Sequence, residues 1–195
     1  MRSVSTLARF WREFLAAPGT TGAVAPSSAA LARRMVEWID WPRAGTVIEC
    51  GPGNGAFTGE ILSRLRPGAA FLAVELNPRF VQDLRRQFPQ TEIAEGSIRD
   101  LPTLAARAGL GPADAVLSSL PWAAFPAPLQ RECLGAIGAS LAPGGQFVTF
   151  AYNLGRWTAK GRRFRDLLPH YFAAVEESPT AWLNLPPAFV YRCRR

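Results

Sequence analysis

One stretch restricts this chain more than any other: Val47-Ile-Glu-Cys-Gly-Pro-Gly-Asn-Gly55 and the residues that follow it to Leu65. Val47 and Ile48 continue a run from Gly45-Thr46 that reads as a short buried strand. Gly51, Gly53 and Gly55 then carry the chain around a turn where side chains would obstruct either a ligand or the backbone. Beyond the turn, Phe57, Ile61, Leu62 and Leu65 recur at helical spacing. Strand, glycine turn and helix predict half of a nucleotide-binding unit, and with it an α/β fold.

Turns of this kind serve either a pyrophosphate or another adenosine ligand, and the neighbouring residues decide between them. Glu49 ends the strand two positions before the first glycine, where a carboxylate repels phosphate but suits the ammonium of an amino acid. About 20 residues further on, Phe71-Leu-Ala-Val-Glu75 is a second buried strand ending in a carboxylate, the usual partner of a ribose diol. Adenosine at one end and a cationic amino acid at the other describe S-adenosylmethionine, with S-adenosylhomocysteine as the product. Glu-x-Gly-x-Gly-x-Gly with Glu75 at this spacing resembles the class I methyltransferase signature. That resemblance implies a Rossmann-like, mostly parallel seven-stranded sheet closed by a C-terminal antiparallel strand pair.

At 195 residues the chain predicts one domain, large enough to bury about 70% of its unfolded surface. Its net charge is +7, and of 22 basic residues only Lys160 is lysine. Such a balance points to an anionic partner, nucleic acid or an acidic membrane. Cys50, Cys133 and Cys193 are odd in number and widely spaced, which predicts neither a disulfide framework nor a metal site but a reducing cytoplasm. The longest uncharged run, Cys133 to Gly155, contains Pro143-Gly144-Gly145 and therefore reads as helix, turn and strand rather than as a membrane span. Arg9, Arg12 and Glu13 stand where a signal peptide would need an apolar core. Any membrane contact is expected to be peripheral.

Residues 1–17 predict an amphipathic helix, with 18–195 as a single domain. Val4, Leu7, Ala8, Trp11, Phe14 and Leu15 share one helical face with Phe10 on its flank, opposite Arg9 and Arg12. This pattern suits either an interfacial membrane helix or a lid packed on the domain. An uncharged loop, Ala17 to Ser28, leads to a helix carrying Leu31, Met35 and Val36. After Glu75, Asn77-Pro78 starts another helix, with Phe80, Leu84 and Phe88 on one face, and Thr91 to Ala94 is a third strand. The loop that follows it, Glu95-Gly96-Ser97-Ile98, is expected beside the adenine, with Leu76 and Ile98 as apolar plates. Ser97 stands where the fold often has an aspartate, and Asp100 is a possible substitute.

Ala113 to Ser118 reads as the fourth strand and delivers Ser119-Leu120-Pro121-Trp122 to the carboxyl edge of the sheet, where open α/β sheets bind ligands. Ser-Leu-Pro-Trp resembles the loop of amino-group methyltransferases. A polar side chain and a carbonyl would hold the target N–H, Pro121 would fix the turn, and the Trp122 face would cradle a cationic nitrogen. The alternative reading of Trp122 is packing. Leu129 to Leu141 reads as a helix closed by Ala142-Pro-Gly-Gly145, and Gln146 to Tyr152 as a fifth strand that places Tyr152 near the same edge. A basic run with interleaved aromatics, Arg156 to Arg165, suits phosphates of lipid or RNA, Arg162 and Arg163 among its candidates. Tyr171 to Glu176, Trp182 to Leu185 and Ala188 to Arg192 read as an antiparallel pair interrupted by Pro186-Pro187.

Three segments together resemble the soluble-type bacterial phospholipid N-methyltransferases: Phe10-Trp-Arg-Glu-Phe-Leu with Thr21-Gly-Ala-Val-Ala-Pro-Ser27, the Glu49 glycine motif, and Trp182-Leu-Asn-Leu-Pro-Pro-Ala-Phe-Val-Tyr191. The resemblance implies methylation of phosphatidylethanolamine toward phosphatidylcholine by a cytoplasmic enzyme held peripherally on the inner face of the cytoplasmic membrane. Thr21 and Gly22 would then border the cofactor, and the N-terminal helix would meet the bilayer. Proton removal would fall to water, Tyr152 or Tyr191; His170 beside Pro169 reads as structural or exposed. The partners implied are a phospholipid and an anionic membrane, with neither nucleic acid nor an obligate protein expected. Two rival classes stay open, an rRNA adenine methyltransferase, which shares the glycine motif and a Leu-Pro-aromatic loop, and a non-catalytic membrane-binding module that keeps the fold; within the preferred class the competitor is another aminolipid such as ornithine lipid.

Overall fold

The computed structural model describes residues 29–195. The expected N-terminal helix, with Arg9, Phe10, Trp11, Arg12 and Phe14, and the loop residues Thr21 and Gly22 lie outside the described residues. Seven strands form one sheet: β1 (Thr46–Cys50), β2 (Ala70–Glu75), β3 (Glu92–Glu95), β4 (Ala113–Ser118), β5 (Leu141–Tyr152), β6 (Ala174–Glu177) and β7 (Ala188–Arg194). Their order is β3-β2-β1-β4-β5-β7-β6. Strands β1 to β5 run parallel, and β7 is antiparallel to both β5 and β6. Connections from β1 proceed outward to β2 and β3, while β4 restarts on the other side of β1. The reversal opens a crevice at the carboxyl ends of β1 and β4.

The central strands are buried on both faces, as a parallel sheet requires. Val47, Ile48 and Cys50 of β1 and Leu72, Ala73 and Val74 of β2 are all fully buried. Alternate residues feed two cores. Ile48, Leu72, Val74 and Val116 pack with α4 (Leu101–Arg107) and α5 (Ala127–Ser140) on one face. Val47, Ala73, Ala115 and Leu117 pack on the other with α1 (Ala29–Val36), α2 (Thr58–Leu62) and α3 (Pro78–Gln87). Helix α3 starts where Asn77-Pro78 predicts: Asn77 Oδ1 accepts from Arg79 N at 3.0 Å and Pro78 holds the first helical position.

Three local expectations change. The helix after the glycine turn covers only Thr58–Leu62, because the turn itself extends to Phe57. Strand β5 begins at Leu141 rather than Gln146, and its register to β4 shifts between Ala113↔Leu141 and Ala115↔Gln146. The glycines let the strand bulge instead of ending: Gly144 has φ 73°, and a Cβ on Gly145 would lie 2.8 Å from Ala142 O. Trp182 to Leu185 is a turn, not a strand, and between β6 and β7 only an isolated bridge from Ala181 to Ala188 forms. The basic run divides into a 3-10 turn, Asn153–Trp157, and helix α6 (Ala159–Leu167), which Thr158 caps by accepting from Gly161 N.

Candidate active site at the carboxyl edge of the sheet

The glycine turn is built so that backbone, not side chain, faces the crevice. Gly51, Gly53 and Gly55 have φ of 70°, 57° and 81°, a region side-chain-bearing residues avoid. A Cβ on Gly51 would collide with Leu120 Cδ2, and one on Gly55 would fall 2.9 Å from Phe88 Cε2. Around Gly53 no atom of the described residues lies within 4 Å of where a Cβ would stand, so that glycine leaves room for a ligand. Backbone bonds pin the strand ends: Gly51 N donates to Val74 O at 2.9 Å, Gly96 N to Glu75 O at 2.9 Å and Ser119 N to Cys50 O at 3.1 Å.

Both acids end buried. Glu49 is fully buried; its Oε2 accepts from Thr58 Oγ1 at 2.7 Å, while Oε1 has no hydrogen-bond partner among the described residues. Burial pushes its carboxyl up to about 8 against the opposing Thr58 bond, and Glu75 nearby adds to the rise. An unpartnered buried carboxylate oxygen is costly unless a donor or cation completes it. Glu75 is tied down instead, Oε2 accepting from Gly53 N at 3.0 Å and Oε1 from Asn77 N at 2.8 Å. Burial still raises its carboxyl, although those backbone bonds oppose the shift. Each oxygen keeps a lone pair for a hydroxyl donor.

Beside this turn lies a cleft onto which Gly51, Glu75, Leu76, Gly96, Ser97, Ile98 and Leu120 converge, all expected from sequence. Its far wall, Phe125, Leu129 and Cys133, comes from α5 and the loop before it, and no local motif pointed to those residues. Ser97 faces it but is also occupied structurally, its hydroxyl capping the 3-10 turn Ile98–Asp100 by accepting from Arg99 N at 3.3 Å. Asp100 is exposed. Open space at Gly53, an unpaired Glu49 oxygen, a carboxylate on the β2 end and an apolar slot together fit an adenosine ligand bearing an amino-acid tail. Among the described residues no group of three or more His, Cys, Asp or Glu is placed to hold a metal ion.

The Ser119-Leu-Pro-Trp122 loop is held by residues that the sequence reading did not single out. Ser118 Oγ accepts from Leu120 N at 3.3 Å and from Trp122 Nε1 at 3.2 Å, and Thr149 Oγ1 donates to Ser118 O at 2.9 Å. Trp122 corrects an expectation. It is 2% exposed, its ring stacks on Phe164 at 5.1 Å and 16°, and Phe125 and Phe147 flank it. It offers no free face to a cation; the packing reading describes it. Leu120 covers Gly51, and Ser119 and Pro121 remain half-buried at the edge.

Arg163 is a second correction. Its Nη2 donates to Phe125 O at 3.0 Å and its Nε to Gln130 Oε1 at 3.2 Å, while Gln130 Nε2 donates to Trp122 O at 2.6 Å. The guanidinium is a clamp between α6 and the 122–125 turn, so it is not free for a phosphate. Arg162 is exposed, with Nη1 on Trp157 O at 2.6 Å. Tyr152 is half-buried, packed edge-on to Phe150 at 5.6 Å. Burial raises the phenols of Tyr152 and Tyr191 above the ordinary tyrosine range, which makes either a poor proton acceptor at neutral pH. His170 is exposed just before β6, at the opposite edge of the sheet from the cleft.

Comparison with known proteins agrees with this geometry. A methyltransferase-domain family model matches residues 47–145. The ornithine lipid N-methyltransferase of Singulisphaera acidiphila is 34% identical over 174 residues, 88% of this chain and 86% of that one. A probable ribosomal RNA small subunit methyltransferase A of Methanospirillum hungatei is 38% identical, but over only 39% of this chain and 28% of its own. Among solved structures, an O-methyltransferase of Bacillus cereus in complex with SAH aligns over 100% of this chain and 93% of its own, with TM-score 0.71 and 14% identity. A TehB-like SAM-dependent methyltransferase of Corynebacterium glutamicum covers 98% of this chain and 97% of its own, with TM-score 0.61 and 16% identity. At such identities these two structures speak to fold alone.

Proposed function

The chain belongs to the class I S-adenosylmethionine-dependent methyltransferases, and from that premise we propose that it methylates the free amine of a membrane aminolipid, ornithine lipid before phosphatidylethanolamine. The observation that carries the substrate class is the extent of the match to an ornithine lipid N-methyltransferase, nearly nine-tenths of both chains. The ribosomal RNA methyltransferase relatives reach 39% and 35% of this chain. The phosphatidylethanolamine expected from sequence takes second place, because the relative spanning most of the chain acts on ornithine lipid by name.

When bound, S-adenosylmethionine supplies an electrophilic sulfonium methyl. Glu49 Oε1 would take its ammonium, and Glu75 would accept from the ribose hydroxyls with lone pairs left over from Gly53 N and Asn77 N. Leu76 and Ile98 hold the adenine, with Gly96, Ser97 and Leu120 around it. Ser119 and the backbone of Pro121 orient the incoming amine at the carboxyl edge. An alkylammonium titrates near 10, so about one amine in a thousand is nucleophilic at pH 7. The site favours the neutral amine by excluding water, and its alignment with the methyl contributes most of the rate. Tyr152, whose phenol burial raises above its already high ordinary value, lines the amine site rather than acting as base, and the proton leaves through water. The headgroup's own anion falls to Lys160 and Arg162, the exposed cations at the start of α6. No described helix is long and apolar enough to cross a membrane.

The test is transfer from labelled S-adenosylmethionine, in parallel, into anionic vesicles containing ornithine lipid, the same vesicles containing phosphatidylethanolamine, and small-subunit ribosomal RNA. Label is expected in ornithine lipid first. Label in RNA, with none in either lipid, overturns the reading.

A further inference from the structure

Two segments at the carboxyl edge have a polarity opposite to that of ordinary surface loops. The turn from Ala181 to Leu185 buries its one polar side chain: Asn184 is 3% exposed and donates to Pro186 O at 2.7 Å. Its neighbours point outward, with Trp182, Leu183 and Leu185 exposed by 72%, 83% and 73%. The 3-10 turn after β5 likewise exposes Leu154 and Trp157, by 72% and 80%.

These segments are joined. Asn153 N donates to Pro187 O at 2.9 Å, and the Asn153 amide and Thr180 hydroxyl pair at 3.2 and 3.3 Å. Arg156 Nη1 meets Glu177 at 2.8 Å while its guanidinium lies 3.7 Å over the Phe189 ring. Because Tyr152 pairs with Ala188, both segments extend from the carboxyl end of β5, the edge at which β1 and β4 open the cleft.

Five large apolar side chains exposed on two hydrogen-bonded segments exceed the scattered exposure a solitary soluble domain tolerates. Charge identifies the occupant. Of the five basic residues in 153–165, Arg156 meets Glu177, Arg165 meets Asp166 and Arg163 holds Phe125 O and Gln130 Oε1, which leaves Lys160 and Arg162 as the exposed cations, and residues 178–187 contain no charge at all. Tryptophan and leucine enter a headgroup layer readily, and adjacent cations meet anionic lipid. We infer that Leu154, Trp157, Trp182, Leu183 and Leu185 form an insertion platform that seats the carboxyl edge of the sheet on an anionic bilayer. The platform rests on the aminolipid reading for its purpose, since it brings the amine site to the headgroups. A second copy of the chain or its own residues 1–28 would be the competing occupants.

The experiment uses the full chain and vesicles of phosphatidylcholine and phosphatidylglycerol in equal parts, read by sedimentation. The variant Trp182→Ser/Leu183→Ser/Leu185→Ser is expected to partition at least ten-fold more weakly, with S-adenosylmethionine affinity and melting unchanged. A second readout does not depend on that variant folding. All three cysteines are buried, so Leu183→Cys takes a thiol-reactive fluorophore selectively. Nitroxides at shallow acyl positions should quench it. Wild-type partition by the triple variant, or a label that lipid nitroxides leave bright, overturns the platform. A label quenched only on self-association, seen by light scattering without vesicles, overturns it in favour of a second copy. Quenching by vesicles whose aminolipid is never methylated leaves the platform standing and removes the substrate; methylation with an unquenched label does the reverse.

Discussion

Glu49 is where the cost of the site is concentrated. Its carboxyl, pushed up to about 8 from an ordinary 4.5, is protonated in the free folded protein through most of the neutral range but ionised in the unfolded chain. A raised acid contributes stability that is present below about pH 4.5 and lost as pH rises to 8. Glu49→Gln, which keeps an oxygen for Thr58, should therefore melt higher relative to wild type at pH 8 than at pH 5. Thermal scans at the two pH values decide it. An ammonium at Oε1 favours the ionised form, so binding S-adenosylmethionine at pH 7 should expel close to one proton. Calorimetry in buffers of different ionisation enthalpy measures this, and Glu49→Gln should bind weakly with no buffer dependence. Two glycines separate fold from ligand in the same way. An alanine at φ 57° or 81° costs about 1–2 kcal/mol in backbone strain. Gly55→Ala adds contact with Phe88 and Leu84 and should show the larger drop in melting temperature. Gly53→Ala meets no atom of the described residues and should keep most stability while losing at least ten-fold in cofactor affinity.

At the scale of elements, the turn after β4 depends on a fastening from α6. Arg163 bonds Phe125 O and Gln130 Oε1, and Gln130 bonds Trp122 O, so one guanidinium organises the loop that presents Ser119 and Pro121. Hydrogen bonds to charged groups are worth about 1.5–3 kcal/mol, less at a half-buried position. Arg163→Ala should cost about 1–3 kcal/mol by denaturant titration and lower kcat more than cofactor affinity. Arg163→Lys should recover only part, because an ammonium lacks the fork that reaches both acceptors. This clamp also marks the limit of what sequence conveys. β1, β2, the glycine turn and Glu75 were legible because the local pattern of strand, turn and acid sets them within 30 residues. The Leu76, Ser97 and Ile98 side of the cleft followed from regular βαβ order. Its other wall, Leu129 and Cys133, was not legible, since which face of α5 meets the cleft depends on long-range packing. Trp122 and Arg163 differ from their expected roles for one reason: a motif shows that an aromatic or a cation is present, but not that Phe164 covers the ring or that a carbonyl already holds the charge. Trp182 to Leu185 read as a strand from composition, yet Asn184 closes it into a turn.

The whole molecule divides its labour across the sheet. The β3-β2-β1-β4 half carries the glycine turn and cleft, while β5 and β7 carry the apolar apron on the same edge, so a chain seated on a bilayer would present the cleft to headgroups without a separate lipid domain. Two physically different forces would hold it there, and salt separates them. Net charge of +7 acts through the solvent, and raising salt from 50 to 500 mM shortens the Debye length from roughly 14 to about 4 Å. Burial of Trp182, Leu183 and Leu185 is not screened, and salt leaves it nearly unchanged. Partition of the wild-type chain onto anionic vesicles should therefore fall by about an order of magnitude over that range and then level off above zero. The Trp182→Ser/Leu183→Ser/Leu185→Ser variant should fall to nothing at high salt while keeping part of its binding at low salt, and Lys160→Glu/Arg162→Glu should do the opposite. Sedimentation of all three proteins across the salt series checks this, with cofactor affinity as the control that must not move. If the wild type itself detaches completely at 500 mM salt, attachment is electrostatic alone and the apron plays no part in it.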